Sequence, residues 1–179
     1  MLTEGQKAKL ARYTEEISAD TAAKKRLAAL FDDGAYTEID AYAKAGDALT
    51  GVVAAYGFVN GTPVYAFSQD KTVKSGAVSK AHAAKICKVL ELASRNGVPV
   101  VGIYDSCGAF VEDGADALNA YGDILMHTNN LSGVVPQIAL IAGVCAGSAA
   151  MIAASADFVV MTEDAELYMA PATAAGTAA

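Results

Sequence analysis

Between Gln6 and Phe31 the apolar positions Leu10, Tyr13, Ile17, Leu27 and Leu30 recur at helical spacing. They predict a helix over that range, broken into two at Asp20 and Thr21. The pattern changes at FDDGAYTEID, a turn-rich segment around Asp32 to Gly34. Two β-rich runs follow, TGVVAAYGFV and TPVYAFSQD, with Asn60-Gly61 between them. Asn-Gly flanked by such runs predicts a hairpin. SQDKTVKSGAVSKAH reads as a loop, at whose end Ser79 caps a helix over Lys80 to Arg95. The apolar face of that helix is Ala83, Ile86, Leu90 and Ala93. Lys80, Lys85 and Lys88 lie on its other faces and read as a solvated surface. Asn96-Gly97 ends it. VPVVGIYDS is a nearly continuous apolar strand, the kind buried on both faces. The loop CGAFVEDGA then leads into a helix from Asp116 to Leu131.

Ile124 to Ala156 is a run of 33 residues without Asp, Glu, Lys or Arg. Its length suits a membrane span, but its content does not. It is rich in Ala, Gly, Ser and Cys, Pro136 and the Gly143, Gly147 pair interrupt it, and Asp123 and Asp157 flank it in place of basic anchors. The alternative is a buried strand, PQIALIA, a glycine turn, GVCAGS, a short helix, AAMIAASA, and a second buried strand, DFVVM. ELYMAPATAAGTAA begins as a strand and decays into an Ala/Thr tail. Strand–helix alternation of this kind predicts an α/β fold with a mostly covered sheet.

Composition narrows the function. The chain has 179 residues, enough for one domain or part of a larger one, and a net charge of −7, which argues against a nucleic-acid partner. Charged residues make up 18%, so much of the surface is expected to be covered by the chain itself or by a partner. Cys87, Cys107 and Cys145 are odd in number and unpaired in spacing, and His82 and His127 are scattered. Neither a disulfide framework nor a metal site is predicted. The charged N-terminus has no apolar signal core, which reads as a cytoplasmic protein.

Two glycine loops follow buried strands, Tyr104 to Gly114 and Gly143 to Ala150. Sites in such sheets gather at the carboxyl ends of strands, and loop N–H groups there can form an oxyanion hole. Simple turns remain the plainer reading of such loops. Asp105 is read as hydrogen-bonding loop N–H groups, and Cys107 as filling a small site. Nucleotide motifs of the GxGxxG or GxxxxGK[ST] type do not occur, nor does a G-x-S-x-G elbow.

From Leu27 to about Thr177 the chain resembles the N-terminal part of the carboxyltransferase subunits of biotin-dependent acyl-CoA carboxylases, of the propionyl-CoA carboxylase β type. The resemblance rests on RLAALFDDGAYTEID, on the hairpin, loop, helix and strand ending in IYDSCGA, and on SGVVPQIALIAGVCAGSAAMIAASADFVVM, in that order. It implies a crotonase-like (ClpP/crotonase) fold of repeated β-β-α units, with residues 1–26 an N-terminal helical segment and 27–179 the front part of an incomplete carboxyltransferase domain. It implies that two peptide N–H groups, at Gly147 and Ser148, hold a thioester oxygen, with Gly108 in the first loop as a further backbone donor. Gly76 and Ala77 match a turn lining the acyl-CoA pocket, with Ser106, Cys107, Ala109 and Ala146 beside it. Phe110 stands where the family carries an arginine. The implied reaction moves a carboxyl group from carboxybiotin to the α carbon of acetyl- or propionyl-CoA, with the biotin nitrogen taking the α-proton. A biotin carboxyl carrier protein brings the biotin, a second carboxyltransferase domain or chain completes the site, and the assembly is an oligomer. An acyl-CoA decarboxylase subunit and a noncatalytic acyl-CoA-binding or assembly subunit are the alternatives.

Overall fold

The structure, a computed structural model, describes residues 2–170; the Ala/Thr tail lies outside them. The chain runs α1 (Glu4–Ser18), α2 (Ala22–Leu30), β1 (Tyr36–Ile39), β2 (Lys44–Ala45), β3 (Ala48–Leu49), β4 (Val52–Val59), β5 (Thr62–Gln69), α3 (Lys80–Asn96), β6 (Val100–Ser106), α4 (Ala115–Leu131), β7 (Gln137–Ala146), α5 (Ser148–Ala154), β8 (Phe158–Met161) and β9 (Glu166–Tyr168). The expected break at Asp20 and Thr21 is present: Thr21 caps α2 by accepting from the Lys24 N–H. The turn at Asn60-Gly61 joins β4 to β5, and Asp32 Oδ1 and Oδ2 accept both turn N–H groups, at 2.8 and 2.9 Å.

One seven-stranded sheet dominates, in the order β1-β4-β5-β6-β7-β8, with β9 also paired to β7. β1, β4 and β5 are antiparallel; β5 through β8 run parallel. One face carries α3, α4 and α5 on a core that includes Phe67, Ile86, Leu90, Ile124, Ile141 and Ile152. The other face packs α2 through Ala23 and Leu27, with Phe31, against Val53, Val64 and Ile103. All seven residues of β6 are buried, as its apolar run predicts. No described helix is long and apolar enough to cross a membrane.

Three expectations change. First, β7 does not stop at Ala142: it continues through Gly143–Ala146, and only Gly147 turns the chain. The last part of β7 is held by ladder partners, Ser106 of β6 on one side and Glu166 to Tyr168 of β9 on the other, which local propensity does not show. Second, β8 is exposed along its whole length, because it pairs with β7 on one side only. Third, Lys85 is not solvated. Its side chain is 3% exposed and meets Glu38 Oε1 at 3.4 Å, on β1, while Lys24 lies 3.8 Å from the same carboxylate. Burial is the main influence on the Lys85 ammonium and lowers its pKa, which the Glu38 charge partly counters.

Candidate functional site

β6 and β7 are neighbouring parallel strands, and the register pairs Ser106 with Cys145. Both glycine loops therefore leave the same edge of the sheet from adjacent strands, about 4.8 Å apart. The first loop is fastened to the segment after β5. Cys107 N–H donates to Ser75 O at 3.1 Å, Val78 N–H to Gly108 O at 2.8 Å, and Phe110 N–H to Val78 O at 3.0 Å. Gly76 is buried against the end of β6; a Cβ there would lie 2.4 Å from Asp105 O. Gly76 and Ala77 thus stand beside Ser106, Cys107, Gly108 and Ala109, as the resemblance implies. Ser106 Oγ accepts the Gly108 N–H at 3.1 Å. Among the described residues the Ala109 peptide N–H has no partner. Cys107 is exposed, so it does not fill an interior site. Phe110 lies under the Lys74 ammonium, whose Nζ is 3.9 Å from the ring centroid, a cation–π contact. Lys74 is held there by a left-handed turn, with φ of 49° at Lys74 and 55° at Ser75.

In the second loop Gly147 has φ 62° and ψ −128°, a conformation essentially open only to glycine. Its N–H donates to Tyr168 O at 2.9 Å, and its C=O accepts from Met151 N–H at 3.2 Å. Gly147 therefore shapes the turn, and Gly108 is likewise tied to Ser106. The free donor next in line is the Ser148 N–H, in the first turn of α5, where helix N–H groups lack intrahelical partners. Cys145, just before the turn, is fully buried, and burial pushes its thiol up to about 12.

Asp105, the penultimate residue of β6, does not bond the loop N–H groups. Those of Cys107 and Gly108 already have Ser75 O and Ser106 Oγ. Asp105 Oδ2 instead takes Arg26 Nη2 of α2 at 2.8 Å, and the same nitrogen donates to Ala142 O at 3.0 Å. Gly143 makes room for this pair: a Cβ there would lie 2.1 Å from Asp105 Oδ1. From behind, the Asp105 N–H donates to Gln69 Oε1 at 3.1 Å, and Gln69 Nε2 lies 3.3 Å from His82 Nε2. Burial lowers the pKa of that histidine to about 3, so it is neutral. Arg26, Gln69 and Tyr121 were not singled out by sequence reasoning. Arg26 shows as one more cation of a helix, Gln69 as a strand end and Tyr121 as an apolar helix position; their contacts are 13 to 116 residues away along the chain.

A model of the carboxyl transferase domain matches residues 19–178. The chain is 44% identical over 159 residues to methylmalonyl-CoA decarboxylase subunit alpha of Propionigenium modestum, covering 83% of this chain and 31% of that protein. It is 43% identical over 155 residues to the propionyl-CoA carboxylase beta chain of Roseobacter denitrificans, covering 79% and 30%. Among solved structures it superposes on transcarboxylase 12S, which has methylmalonyl-coenzyme A and methylmalonic acid bound, with a TM-score of 0.86 at 33% identity, over 97% of this chain and 39% of that one. The chain spans less than half the length of each of these relatives.

Proposed function

The chain belongs to the carboxyl transferase domain family, and from that premise we propose that it forms the acyl-CoA half of a biotin-dependent carboxyltransferase site. The observation that carries this is the pair of glycine loops leaving adjacent parallel strands, with Ser106 opposite Cys145. The Ser148 N–H, and the Ala109 N–H of the neighbouring loop, are the donors left for a thioester oxygen. Such donors, fixed before the reaction, stabilise the negative charge that grows on that oxygen as the α carbon gains enolate character. Gly147 contributes the turn that aims Ser148, and Gly76, Ala77, Ser106, Cys107, Gly108 and Ala146 form the surface on which the thioester lies. The Lys74 ammonium over Phe110 puts a positive charge beside the first loop, where the family's arginine is missing.

Carboxybiotin, brought by a biotin carboxyl carrier protein, supplies the carboxyl group in this reading. The two loops serve the thioester, so the residues described here do not also cradle the biotin ring; a second carboxyltransferase domain or chain does. This chain's own part is to bind and orient the acyl-CoA and to hold charge on its carbonyl oxygen. The same donors serve decarboxylation, the activity named for the Propionigenium modestum relative, because both directions pass through charge on that oxygen.

Calorimetric titration with acetyl-CoA and propionyl-CoA tests the reading. Saturable binding to the wild-type chain is expected. Gly147→Val, whose β-branched side chain does not tolerate φ 62°, is expected to weaken it at least tenfold while the circular dichroism of the fold is kept. A folded wild-type chain that binds neither thioester would refute the assignment.

A further inference from the structure

A groove of about 480 Å³ lies between α4 and α5. Leu118, Leu125, Met151 and Ile152 give it apolar walls, and Ser148 stands in its lining. Leu118 and Met151 are 73% and 42% exposed, so apolar surface is open to water beside the second glycine loop. Its volume is within the range of small-molecule sites, about 300–1,000 Å³.

Tyr121 also lines this groove, yet it is only 8% exposed. Its hydroxyl is buried and has no hydrogen-bond partner among the described residues. A buried hydroxyl without a partner destabilises the fold, and phenylalanine in the same place would not. The groups around that hydroxyl belong to the two loops and the strand ends behind them. Burial first, and then the Cys145 and Cys107 thiols, raise the pKa of the phenol, while the nearby Ser106 hydroxyl lowers it. Ser106 lies close without meeting hydrogen-bond geometry, being engaged with Gly108. The ring of Tyr121 therefore faces the groove, and its hydroxyl reaches the base of both loops.

We propose that the groove between α4 and α5 takes the acyl chain of the thioester, and that Tyr121 is its specificity-determining and positioning residue. The ring forms the groove wall nearest Ser148. The hydroxyl pairs with Ser106 when ligand is seated, which fixes the first loop against the second. The inference rests on the acyl-CoA reading above and goes further by naming where the acyl chain lies. Met151 faces the same space from α5 and limits the chain length that fits.

The test measures the affinity of the 179-residue chain for free coenzyme A and for acetyl-, propionyl- and butyryl-CoA, with thermal unfolding in parallel. Each methylene that enters an apolar groove tightens binding about fourfold, so wild-type affinity is expected to climb by that factor along the series. Met151→Trp, at an exposed helical position, is expected to flatten the climb to within about twofold per methylene while free coenzyme A binds as before. Tyr121→Phe is expected to unfold at the same or a higher temperature and yet bind every acyl-CoA roughly two- to tenfold more weakly. A purely structural tyrosine would not move stability and affinity in opposite directions. The proposal is overturned if coenzyme A binds but affinity ignores chain length, if Met151→Trp weakens free coenzyme A as much as butyryl-CoA, or if Tyr121→Phe binds as wild type does. A wild-type chain that binds neither coenzyme A nor any thioester removes the acyl-CoA reading and this proposal together.

Discussion

Replacing Gly143 by alanine adds one methyl group, and the structure says what it meets. The new Cβ would lie 2.1 Å from Asp105 Oδ1 and 2.4 Å from its Cγ. Gly143 is not in the left-handed region, so the change brings no backbone strain of its own. The cost comes from the Asp105 carboxylate, which must move and release Arg26. The two side chains of that pair are 7% and 24% exposed. Breaking a buried pair costs roughly 3–5 kcal/mol; partial exposure of Arg26 places this one at about 3 kcal/mol. For a chain of this size that lowers the melting temperature by about 6–12 °C. Urea unfolding of wild type, Gly143→Ala, Asp105→Ala and the double variant completes a cycle. Each single change is expected to cost about 3 kcal/mol. The double change is expected to cost little more than either, because the methyl group then has no carboxylate to displace, which gives a coupling near 3 kcal/mol. Additive losses, or a Gly143→Ala variant within about 0.5 kcal/mol of wild type, would refute the reasoning.

Two other outcomes follow from buried charge. His82 has its pKa lowered to about 3, mainly by burial, against 6.5 in the free side chain. From pH 6.5 down to about 3 the unfolded chain takes up a proton that the folded chain refuses. Stability is then lost at about 1.4 kcal/mol per pH unit, so the wild-type minus His82→Gln difference should slope over that window and be flat above it. Glu38→Gln is expected to destabilise by about 2–4 kcal/mol, because it leaves Lys85 buried without its carboxylate; Lys85→Met, which leaves Glu38 with Lys24, should be closer to neutral. Equal losses in denaturant unfolding would contradict that asymmetry.

What was legible in the chain was whatever is decided locally. Asn60-Gly61 between two β-rich runs, Ser79 ahead of an apolar stripe and the unbroken VPVVGIYDS each contain their own cause, and each is found where expected. The resemblance to carboxyltransferase subunits and the crotonase-like fold it implied agree with the comparisons, since many ordered pieces carried it. What was illegible depends on partners distant in sequence. Nothing around Lys85 announces that Glu38 will be packed onto it. GVCA reads as a turn because small residues have weak strand propensity, and it becomes strand only because β6 and β9 flank it. DFVVM reads as buried because it is apolar, while sheet order leaves it on an edge. Asp105 was misread because its true partner, Arg26, comes 79 residues earlier.

The stitching of the two segments Ser75–Val78 and Cys107–Phe110 is made of peptide groups alone. Such bonds are indifferent to the identity of most side chains they carry. A lineage can therefore exchange an arginine for Phe110 and set a lysine over it without loosening the frame beneath. Variation at these rims is cheap for the fold, and it is there, rather than in the strands, that substrate preference can drift between close descendants.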